Sequence, residues 1–238
     1  MPDPINTALS GLNSSRLRSA TRANNLANLN TPGYKAQRAE SATGPRGDSV
    51  RISAVGRNQS QGSLQPTGNP MDVAINGPGF FQVQDAAGNT FYTRAGAFQQ
   101  DAAGNLVTSN GLALAPGAAV PPGSQVSFGS DGTISAQTGN APAAPIGQMQ
   151  LANFSNPEGL TLVGDNLAAA TPASGPPTMG APGAGGLGTL IPGFLESSNV
   201  DLTGEIVDQI VEVNVNAANA AMIRTADEMN RETIDLIG

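Results

Sequence analysis

The sequence of 238 residues contains no cysteine, no histidine and no tryptophan. Without cysteine the chain can form no disulfide, no thiolate metal site and no thiol nucleophile, and its redox compartment stays undetermined. Without histidine it lacks an imidazole metal ligand and the base of a Ser-His-Asp triad. Because these side chains carry much of enzyme chemistry, we predict neither an enzymatic activity nor a cofactor.

Charged and aromatic residues are also scarce, at 12% and 4%, whereas 30 glycines and 18 prolines favour extended and loop segments. No apolar run approaches the roughly 18 residues that span a membrane, so we predict no membrane insertion. The first residues, MPDPINTALSG, contain neither a basic region nor a continuous apolar run. We therefore expect no cleaved signal peptide, and any export must use another route.

The few charges are unevenly distributed. Residues 1–60 carry eight basic and three acidic side chains, whereas residues 196–238 carry two basic and nine acidic ones. A basic head and an acidic tail can meet within one chain or between neighbours, although two separately solvated helix faces fit the same pattern. The overall charge of −7 and the lack of aromatic residues among the arginines argue against a nucleic-acid partner.

Two terminal segments show helical periodicity. In residues 5–29 apolar side chains recur at intervals of three and four, and Pro32-Gly33 ends the pattern. The segment contains RANNLANLN, and because asparagine is a poor helix former, these amides must have partners. Residues 199–236 form a longer pattern that Asn199 or Asp201 can cap. A helix of that length cannot bury its apolar stripe alone.

The middle of the chain has a different pattern. Between residues 67 and 165, short apolar runs alternate with turn residues, and the pentapeptide DAAGN occurs twice. Its Gly-Asn pairs suit hairpin loops, so this region is predicted to be an antiparallel β domain. Asp85, Asp101 and Asp131 lie on such turns without calcium-loop spacing, so we predict no metal site.

We therefore predict an α+β protein in which long N- and C-terminal helices pair as a coiled coil, with a central antiparallel all-β domain and extended linkers. The predicted segments are an N-terminal assembly helix and stop at 1–35, an extended linker at 36–66, the β domain at 67–167, a Gly/Pro/Ala-rich extended segment at 168–196, and a C-terminal assembly helix at 197–238. Helices of this kind become stable only when packed against others, which indicates an assembly subunit.

One stretch, ANNLANLNTPGYK at 23–35, resembles the signature that ends the N-terminal helix of bacterial flagellar rod and hook proteins. The resemblance continues through GSLQPTGNPMDVAINGPGFFQV (62–83), YTRAGAFQQDAAGNLVT (92–108), GFLESSNVDLTGEIVDQI (193–210) and TADEM (225–229). Together these motifs cover most of the chain in family order. Within the family, the chain is most similar to subunits of the distal rod of the basal body.

The resemblance implies a structural subunit that forms a helical homopolymer, a hollow drive shaft that transmits motor torque to the hook. It also implies export through the flagellar type III apparatus and a place in the basal body, across the periplasm. Its implied partners are copies of itself, adjacent rod and hook proteins, and basal-body ring proteins. A proximal rod subunit is the nearest alternative, and a secreted β-rich adhesin or binding module is an alternative from another class.

We expect the assembly interface to lie on the terminal helices. We expect seven apolar side chains to pack between the paired helices: Leu9, Leu12, Leu26, Ile206, Ile210, Val213 and Met229. We expect the amides of Asn24, Asn25, Asn28 and Asn219 to form hydrogen bonds between helices or between subunits. We expect the charges of the two ends to pair between Arg16, Arg18 and Arg22 on one helix and Glu205, Asp208 and Glu212 on the other.

Overall fold

The computed structural model describes residues 4–44 and 49–237, and the chain divides into two compact units. The first, which we call the helical unit, comprises residues 1–29, 35–58 and 200–238. The second, the β unit, comprises residues 30–34 and 59–199. The α+β class with terminal helices and a central antiparallel β domain is confirmed.

The N-terminal helix α1 spans Pro4–Ala27. Pro4 suits this first position, because a helix leaves its first N–H groups without internal partners and proline has none to lose. The chain turns at Gly33, whose φ of 69° suits glycine. A Cβ at this position would lie only 2.6 Å from the backbone of Arg94 and of Ala95. Glycine is therefore required at position 33 for two reasons: its backbone conformation and the lack of room for a side chain.

The C-terminal helix α2 spans Leu202–Ile237, which is 36 residues or roughly 54 Å. Asp201 caps it: its Oδ1 accepts a hydrogen bond from the Thr203 N–H at 3.0 Å, and its carbonyl accepts one from the Glu205 N–H at 2.9 Å. Of the two predicted capping residues, Asp201 fills this role.

The helical unit also contains a β-hairpin, formed by β1 (Gln37–Thr43) and β2 (Val50–Arg57). Its composition predicts an extended linker, because neither strand alternates cleanly between apolar and polar residues. Side chains of α1 hold it instead. Ser10 and Ser14 bond the N–H and the carbonyl of Val50, and Asn25 bonds both backbone groups of Gln37. Such contacts between distant segments leave no local pattern in the sequence.

The β unit is built from short antiparallel strands and one 3₁₀ turn at Pro157–Gly159. The strands are β3 (Leu64–Pro66), β4 (Val73–Asn76), β5 (Phe80–Gln84), β6 (Thr90–Thr93), β7 (Phe98–Gln100), β8 (Leu106–Thr108), β9 (Ala113–Leu114), β10 (Ser124–Phe128), β11 (Thr133–Thr138), β12 (Ala144–Gln148), β13 (Leu151–Asn153), β14 (Thr161–Gly164), β15 (Leu167–Ala169), β16 (Thr178–Gly180), β17 (Thr189–Pro192) and β18 (Phe194–Glu196). The largest sheet has nine strands and contains the order β14-β15-β6-β5-β9-β8-β7.

The repeated DAAGN pentapeptides form matching turns. In the first, the Asp85 carboxylate accepts hydrogen bonds from the N–H groups of Ala87 and Asn89, at 2.9 and 2.8 Å. The side chain of Asn89 also donates to Asp85, and these bonds from Asn89 lower the pKa of the carboxyl below its usual value. Gly88 adopts the positive φ, 87°, that the turn requires. The second copy repeats the same bonds from Asp101.

Aromatic rings form the centre of the β unit. Phe81 and Phe98 are buried and meet edge to face with centroids 5.3 Å apart, and Phe128 lies 6.2 Å from Phe98. Burial of large aromatic side chains provides much of the stability of such a core. The alternating aromatic pattern of the sequence therefore marks core positions.

The segment at 168–196, whose composition predicts loose extension, contains paired strands. β17 pairs with β4 and β18 pairs with β3, so each finds its partner more than a hundred residues earlier. Glu196, at the end of β18, is buried. Its carboxylate accepts a hydrogen bond from the Gly62 N–H at 2.9 Å and lies 3.6 Å from the Arg94 guanidinium. Its carbonyl accepts one from the Gly33 N–H at 2.7 Å. Glu196 thus joins three distant segments of the β unit.

We predict that Phe98→Ala lowers the free energy of unfolding of the β unit by about 3–5 kcal/mol, because it removes a ring packed between two others. Urea unfolding followed by circular dichroism measures the change. Phe194→Ala, which truncates a half-buried ring on β18, is the matched control and should cost clearly less. Equal losses in the two variants would contradict the assignment of Phe98 to the centre of the core.

The Arg94–Glu196 pair gives a second prediction. Desolvation already lowers the pKa of Arg94, and the charge of Glu196 opposes that shift. Glu196→Leu leaves the guanidinium buried without its counter-charge and should destabilise the β unit by about 3–5 kcal/mol. The double variant Arg94→Met/Glu196→Leu should recover most of this loss in the same urea experiment. Additive losses would show that the two side chains act independently.

Candidate assembly interface

Helices α1 and α2 lie side by side and run antiparallel within the helical unit. Asn25, near the end of α1, donates to the Glu205 carboxylate at the start of α2 at 2.6 Å. Towards the other end, a Cβ built on Gly11 would lie 3.0 Å from the Asn219 amide. The lack of a side chain at Gly11 therefore lets the two helices approach closely.

The side chains that face the partner helix recur every three or four residues. These half-buried or buried positions, which we call the seam, are Ala8, Gly11, Ser15, Arg18, Arg22 and Asn25 on α1, and Glu205, Gln209, Glu212, Asn216, Asn219, Ile223 and Ala226 on α2. Most of them are polar. Their steps of three and four residues alternate, so the pattern repeats every seven residues. This is the period at which two paired helices keep the same faces in contact.

A buried carboxylate lies at the centre of the seam. Glu212 is only 5% exposed, and its oxygens accept hydrogen bonds from the Ser15 hydroxyl and, at 2.6 Å, from the Arg18 Nε. The Arg22 guanidinium lies 3.1 Å from the same carboxylate and 3.3 Å from Asp208. Burial alone would raise the pKa of Glu212. The hydrogen bonds from Arg18, Ser15 and Arg22 lower the pKa by more than burial raises it, so the net pKa lies below its ordinary value.

The predicted charge partners are therefore only partly brought together. Arg18 pairs with Glu212, and Arg22 pairs with Glu212 and Asp208 and lies 3.9 Å from Glu205. Arg16 is exposed instead, because it lies on the side of α1 that faces away from α2.

The predicted asparagines have different environments. Asn25 is 1% exposed and bonds to the backbone of Gln37 as well as to Glu205. Asn219 lies in the seam. The Asn28 amide donates to the carbonyl of Asn24 one turn earlier, while the Asn24 side chain is exposed. Asn25 thus joins three elements, since its single amide contacts α2 and both backbone groups of a strand.

The predicted apolar residues lie outside the seam. Leu12 is half-buried, and the others are exposed over 46–63% of their surface: Leu9, Leu26, Ile206, Ile210, Val213 and Met229. Next to the seam, Ala23 and Leu26 of α1 face Ile206 and Ile210 of α2 across a cavity of about 310 Å³. We call this the helix groove. Arg22, Glu205 and Gln209 also line it.

Sequence reasoning missed seven positions of the seam: Ala8, Gly11, Ser15, Gln209, Asn216, Ile223 and Ala226. The available signal was the spacing of small side chains at Ala8, Gly11 and Ser15, which marks a helix face that permits close approach. Apolar periodicity favoured the adjacent stripe instead.

Within residues 4–44 and 49–237, no group of three or more acidic side chains could hold a metal ion. Neither described helix is long and apolar enough to cross a membrane.

Comparison with known proteins gives matches along the chain in order. Residues 5–35 match the family described as flagella basal body rod protein, residues 74–136 the flagellar hook protein FlgE/F/G D1 domain, and residues 191–236 the flagellar basal body rod FlgEFG protein C-terminal region.

Whole-chain relatives agree with these family matches, and each bears the name flagellar basal-body rod protein FlgG. The protein from Agrobacterium fabrum is 40% identical, covering 93% of this chain and 94% of its own length. That from Buchnera aphidicola subsp. Baizongia pistaciae is 37% identical over 93% and 95%, and that from Caulobacter vibrioides 35% over 98% of each. These relatives do not favour a binding module or an enzyme. The chain belongs to the family of flagellar basal-body rod proteins.

Proposed function

We propose that this chain is a structural subunit of the distal rod, and that copies of it assemble through their terminal helices into a hollow helical shaft that carries motor torque to the hook. The observation that carries the proposal is the distribution of side chains in the helical unit. Most of its contacts between helices are polar, and most of its large apolar side chains are exposed.

The helical unit thus reverses the usual distribution, in which apolar side chains are buried and polar ones exposed. Among the described residues, sixteen large apolar side chains are exposed, and fourteen of them belong to the helical unit. The buried side chains of the same unit include Ser14, Ser15, Thr21, Asn25 and Glu212. Exposed apolar surface of this extent marks a protein interface. The helical unit therefore has the surface of a part that is completed by neighbouring subunits.

We also propose that α1 and α2 pair as a coiled coil. The spacing of the seam supports this, since alternating steps of three and four residues repeat along both helices. Polar residues at such positions set register at some cost in stability. The cluster around Glu212 fits this role, because only one register places the carboxylate between Arg18 and Arg22.

The predicted apolar interface residues then have a different partner from the one expected. Instead of packing between the two helices of one chain, they contact other copies. Covering a half-exposed leucine or isoleucine contributes on the order of 1 kcal/mol. Contacts of this size, repeated at every subunit, make assembly cooperative while leaving single chains unassociated at low concentration.

The rod position implies further partners. Adjacent rod and hook proteins follow from a family whose matched regions include both kinds of protein. Basal-body ring proteins would surround the shaft within the periplasm, and the flagellar type III apparatus would export the subunits. These partners and this location rest on family membership.

The apolar interface yields a direct prediction. Leu26→Asp places a charge in the helix groove and should abolish rod assembly, because an unpaired carboxylate cannot be buried against a neighbour. Leu26→Met keeps an apolar side chain of similar volume and should preserve assembly. Motility in soft agar and electron microscopy of purified basal bodies measure the outcome. Circular dichroism of the purified monomer should show an intact β unit in both variants, and normal motility of Leu26→Asp would refute the assignment.

The proposed pairing of α1 and α2 should depend on pH. Because the pKa of Glu212 is lowered in the folded chain, its ionised form stabilises the pair above the ordinary value of 4.5, and this contribution is lost as the pH falls through the lowered pKa. Sedimentation of assembled rods between neutral pH and pH of about 3 measures the loss.

The matched variant is Glu212→Gln, which keeps the shape of the side chain but removes its charge. Its rods should be weaker at neutral pH and should respond less to acid than the unchanged chain. An identical acid response of the two chains would show that Glu212 does not control the pairing.

A further inference from the structure

Helix α2 carries a second apolar surface, separate from the helix groove. Val207, Val211, Val215 and Met222 are exposed over 37–55% of their surface, and we call these four residues the α2 ridge. At about 100° per residue, the ridge points roughly 120° around the helix from Ile206 and Ile210. One helix thus contributes to two distinct apolar surfaces, on opposite flanks of the seam.

The two surfaces differ in shape. The helix groove is concave, because it lies where the curved surfaces of α1 and α2 meet, whereas the ridge is a convex line of side chains on one helix. Ridges of one helix pack into grooves formed by others in the usual geometry of helix packing. Two ridges in contact would leave their flanks uncovered, and two grooves would enclose a void.

The chemistry of the groove favours a helix over a small ligand. Its inner surface is almost wholly apolar, whereas small-molecule sites include a few polar groups that fix orientation. Arg22, one of its charged lining residues, already pairs with Glu212 and Asp208. The ridge residues carry no charge, so the ridge can enter without leaving an unpaired charge buried.

We propose that the α2 ridge of one copy of this chain seats in the helix groove of the next copy. The inference rests on the proposed self-assembly and specifies how it occurs. Because the two surfaces are different, the contact is head to tail, and every copy offers one free groove and one free ridge. A contact of this kind does not close at the dimer. If the rotation between copies does not close into a ring, the contact continues as an open helix, and an open helix is the symmetry that a shaft needs.

The absence of native cysteine allows a clean test by disulfide cross-linking. In the double variant Ala23→Cys/Val211→Cys of the full chain, one engineered thiol lies in the groove and the other on the ridge. Oxidation of assembled rods should link each copy to the next and give a ladder of multimers on a denaturing gel. The single variants should give dimers at most, since each copy then has only one thiol.

The matched control is Ala20→Cys/Val211→Cys. Ala20 is exposed on α1 one turn before Ala23 but does not line the groove. We expect at least ten-fold less multimer from this control than from the groove–ridge variant. Electron microscopy of the same samples before oxidation shows whether rods have formed.

The possible outcomes separate the two proposals. If rods form but the groove–ridge variant gives no ladder, or the control ladder is equally strong, the ridge-in-groove contact is wrong and self-assembly stands. If the unchanged chain forms no rods, self-assembly fails, and the contact that rests on it fails with it. A ladder specific to the groove–ridge variant establishes the contact.

Discussion

The helical unit depends on the buried carboxylate of Glu212. A charge in a nearly dry environment is tolerated only if its hydrogen-bonding capacity is satisfied, and Ser15, Arg18 and Arg22 together satisfy it. Sliding one helix along the other by a single turn would separate the carboxylate from these partners. The cluster therefore contributes less to net stability than to the choice of register, and that register determines which apolar side chains line the groove.

The hairpin of β1 and β2 is likewise held against the helices by hydrogen bonds of a buried polar side chain. Asn25 bonds to both backbone groups of Gln37 and to Glu205, so one amide fixes the start of β1 against both helices. An asparagine that would weaken an isolated helix is favourable here, because each polar atom of its buried side chain has a hydrogen-bond partner. In the β unit, Glu196 has a comparable role, since it binds the turn at Gly33, the segment at Gly62 and the side chain of Arg94.

A polar seam with apolar flanks suits a subunit that must first exist alone and then polymerise. Charged and amide side chains can remain hydrated while the helices are separate, and they select one partner arrangement when the helices meet. Under the proposed function, the apolar flanks provide the driving force only when many copies are present. In the proposed assembly, two different apolar surfaces on one helix pair make the contact directional, so that growth does not end at a dimer.

Much of the architecture follows from local patterns. Helical periodicity defines both helices, Thr31-Pro32-Gly33 ends the first, Asp201 caps the second, and the DAAGN repeats predict their turns. The alternating aromatics predict the core around Phe98. All of these signals arise from residues close together in the chain, where conformation and burial leave a direct trace in the sequence.

The tertiary structure alone decided which helix faces meet. The amino-acid pattern favours an apolar seam, whereas in the folded chain Ser15, Arg18 and Arg22 meet Glu212 there, and most leucines and isoleucines of the pattern are exposed beside it. The hairpin and the late strands β17 and β18 are likewise decided by partners distant in sequence. The sequence by itself therefore determined the two terminal helices, the central β core and the family of this protein. The pairing of those elements, and hence the shape of its apolar surfaces, depended on contacts between residues that only the folded chain brings together.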